Sequence, residues 1–225
     1  MNSFNFSKYN TLIGWVVFAI ALTTYSLTLE PTVSYWDCGE YISTAVKLQV
    51  GHPPGAPLFQ MFGAFFSLFA SDPTQIGFML NMMSAFASAF TILFMFWSIS
   101  MLLQKLSGGL QNISKNQALA ILGGALVGSV AFTFTDSFWF NAVETEVYAM
   151  ATLLMSVMFY LGLHWEQDID KPRGNKWLIL ISFIVGLSFG VHFMGLLTIP
   201  AIGLIYYFKH YKEITIKNFI VANVV

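Results

Sequence analysis

Residues Pro73 to Gln104 read PTQIGFMLNMMSAFASAFTILFMFWSISMLLQ, 32 positions without a charged side chain. The hydrocarbon core of a bilayer, about 30 Å thick, takes roughly 20 helical residues at about 1.5 Å each. This run is therefore longer than one span needs. Inside lipid the backbone has to satisfy its own N–H and C=O groups, so the run reads as a helix. Working outward, further uncharged runs cover 12–29, 117–135, 147–165 and 177–208.

Composition agrees. Hydrophobic residues make up 56% of the 225 and charged residues only 9%, against about 25% charged in soluble domains. Mean hydropathy is +0.68. These values exclude a disordered chain, a nucleic-acid binder and an ordinary globular enzyme. A net charge of -1 without a basic run gives a polyanion no electrostatic footprint. Cys38 is the one cysteine, which rules out an internal disulfide and a Cys-based zinc site. The fold class read from this is an all-α integral membrane protein with about six transmembrane helices.

Basic residues set the orientation. With Lys8 in the cytoplasm, Lys105 and Lys115 follow the second span, and Lys171, Arg173 and Lys176 follow the fourth. Lys209, Lys212 and Lys217 come after the run 177–208, so that run should cross an even number of times. A hairpin of two short helices with its tip near Gly190 to Gly195 meets this, and puts His192 on the outer side. One long tilted helix is the alternative, and it breaks the charge rule. Glu30, Asp37, Glu40, Asp72, Asp136, Glu144 and Glu146 then lie outside, seven of the eleven acids. The sequons at Asn5 and Asn112 fall on the cytoplasmic side and would stay unused.

The segment before Ser26 is expected to be an uncleaved first helix rather than a signal peptide. The apolar ending Phe219 to Val225 resembles the start of a seventh helix. The chain is thus expected to be a single transmembrane domain, 1–225, that forms the N-terminal part of a longer protein. Gly124-x3-Gly128 and Gly186-x3-Gly190 are spacings that let helices pack closely, and Asn81 and Gln104 read as interhelix glue.

Chemistry concentrates in two outer loops. In the first, residues 30–73, YISTAVKLQV (41–50) has one apolar face and is expected to lie flat on the outer membrane surface. Asp37 and Glu40 precede it. His52 follows it in Gly51-His-Pro-Pro-Gly-Ala-Pro57, where three prolines and two glycines fix a turn. Leu58 to Ala70 reads as a second interfacial or re-entrant helix. If the chain is helical at Asp37, the i,i+3 spacing puts Asp37 and Glu40 on one face. A carboxylate at that surface can act as general base toward a hydroxyl. Taken singly, each acid also reads as a helix cap, His52 as a turn residue and Cys38 as inert. The second loop, 136–146, repeats the pattern with Glu144 and Glu146, which share a face only in extended backbone.

The motif Asp37-x-Gly39-Glu40, followed by His52-Pro-Pro-Gly-x-Pro57-Leu58, resembles a stretch of a family of large multi-pass membrane proteins. That family was long catalogued as a domain of unknown function, and it includes an animal endoplasmic-reticulum protein O-mannosyltransferase. Glu146-Val147-Tyr148 and Gly186 to Pro200 are similar to further segments of it. The resemblance implies a glycosyltransferase of the GT-C type, with this chain as its N-terminal part. Such an enzyme moves a sugar, mannose in the animal member, from a polyprenyl-phosphate donor to a hydroxyl of a protein or glycan outside the cytoplasm; the residues themselves leave the sugar open. Carried over residue by residue, Asp37 becomes the catalytic carboxylate, and Glu40 orients the acceptor or Asp37. Glu146 becomes a sugar or ion ligand, with Glu144 beside it as a further binding candidate, while Lys47, His52 and His192 are candidates to meet the departing phosphate by charge rather than by motif. Nothing demands a metal; oxygen ligands from Asp37, Glu144 and Glu146 would suit a divalent cation. The rival reading is a non-catalytic scaffold or transporter subunit, but transporters place ionisable groups mid-membrane, and these helices are almost free of charge. Compact loops point to a bacterial inner membrane.

Overall fold

The computed structural model describes residues 4–109, 113–211 and 215–224. Ten α-helices and no strand occur among them. They are α1 (Phe6–Leu27), α2 (Cys38–Lys47), α3 (Pro57–Ser67), α4 (Ile76–Leu106), α5 (Lys115–Thr133), α6 (Asp136–Ala142), α7 (Val147–Asp168), α8 (Lys176–Ser188), α9 (Thr198–His210) and α10 (Ile216–Val224). Lys212 and Asn112, named above for orientation and as a sequon, lie outside the described residues.

Local signals start the long helices. Asn5 accepts the Lys8 amide and caps α1, and Ser114 with Gln117 forms a capping box at α5. Helix α4 is the hub. Its Ala85, Ala89, Ile92 and Phe96 pack on Val17, Ala21 and Tyr25 of α1 and on Leu122 and Ala125 of α5. Lipid tails are as apolar as leucine, so close fit rather than water exclusion holds such helices together. The glycine spacing in α5 serves that fit: a Cβ at Gly124 would sit 3.1 Å from Leu103, and one at Gly128 3.2 Å from Ile99. Gly186 faces open space, so the second spacing is not a packing seam along its length. Gln104 itself bonds within α4, donating to Ser100; it is the Ser100 hydroxyl that joins helices, by donating to Asn10 of α1.

Four segments are long and apolar enough to cross a membrane: Phe6–Leu27, Pro73–Leu106, Lys115–Thr133 and Val147–Asp168. The count of six is not reached by length, because α8 and α9 have 13 residues each, about 20 Å at 1.5 Å per residue. They form the expected hairpin, broken after Ser188 and turned through a 3-10 segment at Phe193–Leu197. Lys209 at the end of α9 and Lys105 at the end of α4 both pair with Glu166 near the end of α7. The hairpin thus returns the chain to the end from which it departed. That end also holds Lys171 and Lys176, paired with Asp168.

At the opposite end α2 corrects one expectation. Its apolar face does not look outward to lipid. Ile42 and Ala45 pack on Leu80 and Ile76 at the start of α4, and Tyr41 packs on Phe59 of α3, with Met83 and Ala87 behind. The outward apolar surface belongs to α3 and the turn after it, where Met61 and Phe65, then Leu68 and Phe69, are exposed.

Candidate functional site

Two hydrogen-bonded anchors bring the loops together. Asn81 of α4, fully buried, donates to the carbonyls of Glu30 and Thr32 at 2.8 Å each. Its side-chain oxygen accepts from the Thr145 hydroxyl in the second loop. The first anchor therefore ties the entry of loop one to the turn between Glu144 and Glu146. The second joins α3 to the hairpin tip: Leu58 and Phe59 donate their amides to the Gly190 carbonyl, at 2.7 and 3.2 Å. A Cβ at Gly190 would lie 2.8 Å from Leu58 Cβ, so this approach needs glycine.

Helix α2 begins at Cys38, with Asp37 at its N-cap position. The Tyr41 amide bonds to the Asp37 main-chain carbonyl, but the Asp37 carboxylate caps nothing. The capping role weighed for it is thus not taken up, and its side chain stays 55% exposed. Glu40, one turn on, accepts the main-chain N–H of His52 and faces His52 Nδ1 at 3.0 Å. This fixes the ring with Nε2 toward Asp37, 3.8 Å away. The side-chain bond to Glu40 lifts the His52 pKa above its ordinary value, and the same bond lowers Glu40. Tyr41 flanks the ring, with centroids 5.9 Å apart.

Behind Asp37 lies the second loop. Its residues Asp136 to Ala142 form the short helix α6, and Glu146 then stands at the N-cap of α7 in extended backbone. The Cys38 thiol donates to Glu146 Oε1 at 3.6 Å, and the Asp37 amide reaches the same carboxylate. Burial, with Asp37 and Glu144 nearby, pushes the Glu146 carboxyl up to about 7. Glu144 is more deeply buried, at 2% exposed. Burial raises it too, against contacts from Ser34 and Cys38, and its Oε2 has no hydrogen-bond partner among the described residues. Burial is also the main cause that lifts Tyr41, to about 12, with Glu146 and Asp37 adding to it.

Of the residues singled out in the sequence, Asp37, Glu40, His52 and Glu146 come together. His192 joins their margin. Its Nδ1 accepts the Met194 amide, and its ring lies 5.3 Å from that of Tyr148, two residues past Glu146. Lys47 does not join them; it ends α2, exposed and without an ion pair among the described residues. Of the oxygens offered for a cation, those of Glu144 are buried beneath the cluster; among the described residues, the group whose ligand atoms lie within 4.8 Å of one another is Asp37, Glu40 and His52. These three fit a divalent ion by ligand type. Sequence reasoning missed Cys38, Tyr41 and Tyr148 as parts of the site and read Asn81 as plain helix glue. The polar Asn81 within an apolar run was the one signal available.

Comparisons with known proteins bear on the same region. Residues 37–215 match a family model described as the N-terminal domain of protein O-mannosyl-transferase TMEM260. A Dictyostelium discoideum protein named protein O-mannosyl-transferase tmem260 is 26% identical over 210 residues, 88% of this chain and 24% of its own. A Mus musculus protein of the same name is 26% identical over 173 residues, 76% of this chain and 22% of its own. The chain spans about a quarter of the length of these curated relatives. No solved structure matches.

Proposed function

The chain belongs to the family of the TMEM260 protein O-mannosyl-transferase N-terminal domain, and we propose that it forms the donor-handling membrane part of a GT-C-type glycosyltransferase. The reaction transfers a sugar, mannose by the names of the relatives, from a polyprenyl phosphate to an acceptor hydroxyl on a protein or glycan. It takes place at the extracytoplasmic face. The relatives named here are eukaryotic; a bacterial inner membrane has the compact loops and the cytoplasmic sequons behind it.

One observation carries the reading. An exposed carboxylate that caps no helix, Asp37, lies beside a buried carboxyl poised near neutrality, Glu146, across two loops. In the proposed step Asp37 takes the proton of the acceptor hydroxyl as that oxygen attacks the anomeric carbon. The bond from that carbon to the phosphate oxygen breaks, and polyprenyl phosphate leaves. Glu40 holds His52 with its ring toward Asp37, and His52 and the free nitrogen of His192 accommodate the phosphate. Glu146 hydrogen-bonds the sugar. A divalent ion held by Asp37, Glu40 and His52 would neutralise phosphate charge.

A lipid-linked donor is supported by an apolar trench beside Tyr148 and Met194. Two stretches, about 460 and 440 Å³, share Phe132, Phe138 and Thr152 and lead down past Thr91 to Leu102. From Thr91 to Leu102 the path is about 16 Å at 1.5 Å per residue, room for several isoprene units beside the site.

The test is Asp37→Asn and Glu146→Gln in the intact protein, assayed for mannosyl transfer from a polyprenyl-phosphate donor. Loss of a positioned general base lowers turnover by roughly 10²–10⁴-fold, and that range is expected for Asp37→Asn. Full activity in both variants removes the proposed chemistry.

A further inference from the structure

At the end remote from Asp37 and Glu146, a cleft of about 890 Å³ opens between the first turns of α1 and α5. We propose that it binds one anionic phospholipid, with the phosphate between Lys8 and Lys115 and the acyl chains along the apolar wall below. This inference stands apart from the catalytic reading.

The first argument is charge. Lys105, Lys171, Lys176 and Lys209 at this end are matched by Glu166, Asp168 and Asp170. Lys8 and Lys115 both line the cleft, both are exposed, and neither has an acidic partner among the described residues. The neighbouring undescribed residues, 1–3 and 110–112, contain no acid. Two helix N-termini point the same way and add their positive ends to the field. An anion placed there meets uncompensated positive charge from two separate elements.

The second argument is the wall. Below the lysines the cleft is lined by Ile13, Leu119, Gly123 and Leu126, on two helices long and apolar enough to cross a membrane. A ligand that fills it must therefore be anionic at one end and hydrocarbon beyond. Gly123 leaves the space open: a Cβ there would meet no atom within 4 Å. A larger side chain at this position would start into the cleft.

The test uses the intact protein in detergent micelles doped with equal phosphatidylglycerol and phosphatidylcholine, with retained lipid counted by native mass spectrometry. Wild type should retain the anionic lipid over the zwitterionic one by roughly tenfold, the effect expected of two lysines near a phosphate. Lys8→Gln with Lys115→Gln should bring that ratio close to one while some lipid is still held. Gly123→Leu should reduce retention of both lipids, with an unchanged melting midpoint as proof of folding. Equal retention of the two lipids by wild type, or a preference that survives in both variants, overturns the proposal.

Discussion

The Cys38 thiol lies 3.6 Å from Oε1 of Glu146 and joins two turns 108 residues apart. Cys38 is fully buried, and burial beside Glu144 and Glu146 pushes its thiol well above the ordinary range. The thiolate is the reactive form, so the folded protein should resist maleimide at neutral pH and label fully once denatured. Rapid labelling of the native protein would contradict this placement.

Glu146 should titrate near 7 rather than near its ordinary 4.5. Between those values the folded protein keeps the proton and the unfolded chain has lost it, so stability should fall as pH rises through that window. Infrared difference spectra across the titration should show a protonated carboxyl band that disappears in Glu146→Gln. A band that titrates near 4.5 would contradict the buried setting.

The Glu40–His52 pair behaves differently. His52 is raised, so its contribution is full below 6.5 and fades as pH rises through its higher folded value. Glu40 is lowered, so its contribution is present above 4.5 and fades as pH falls through its lower folded value. The turn 48–57 should therefore resist proteolysis best at mildly acidic pH. His52→Ala should flatten that profile.

Asn81→Ala removes two donors from the Glu30 and Thr32 carbonyls and one acceptor from Thr145. Orphaned buried polar groups cost about 1–3 kcal/mol, so the melting midpoint should drop. Asn81→Asp should drop it further, because it points a carboxylate at two carbonyl oxygens. A neutral Asn81→Asp would show that the anchor is not formed.

These effects divide by how far apart in sequence the partners lie. The long spans, the hairpin tip and the two acid turns were legible, because runs without charge and clusters of Pro, Gly and Lys are local properties. The cap role of Asp37 was open in the sequence and is settled only by where its carboxylate points. Asn81 and Thr145 lie 64 positions apart, and no local pattern announces such a contact. Helix α2 was read correctly as amphipathic but assigned to lipid, since periodicity reports a face without saying what covers it.

Gly190→Val tests the second anchor. The added side chain would collide with Leu58, whose Cβ lies 2.8 Å from the modest first carbon alone. The α3 amides should then lose the Gly190 carbonyl, with faster proteolysis between α2 and α3. Unchanged cleavage would place the hairpin tip elsewhere.

Sidedness is the condition on which the transferase reading depends. With Cys38 replaced by serine the chain has no cysteine, and Asp37→Cys or Lys105→Cys then supplies a single reporter. In sealed cells a membrane-impermeant maleimide should label position 37 directly and position 105 only after permeabilisation. Labelling of position 105 from outside, with position 37 protected, would contradict an extracytoplasmic acid site.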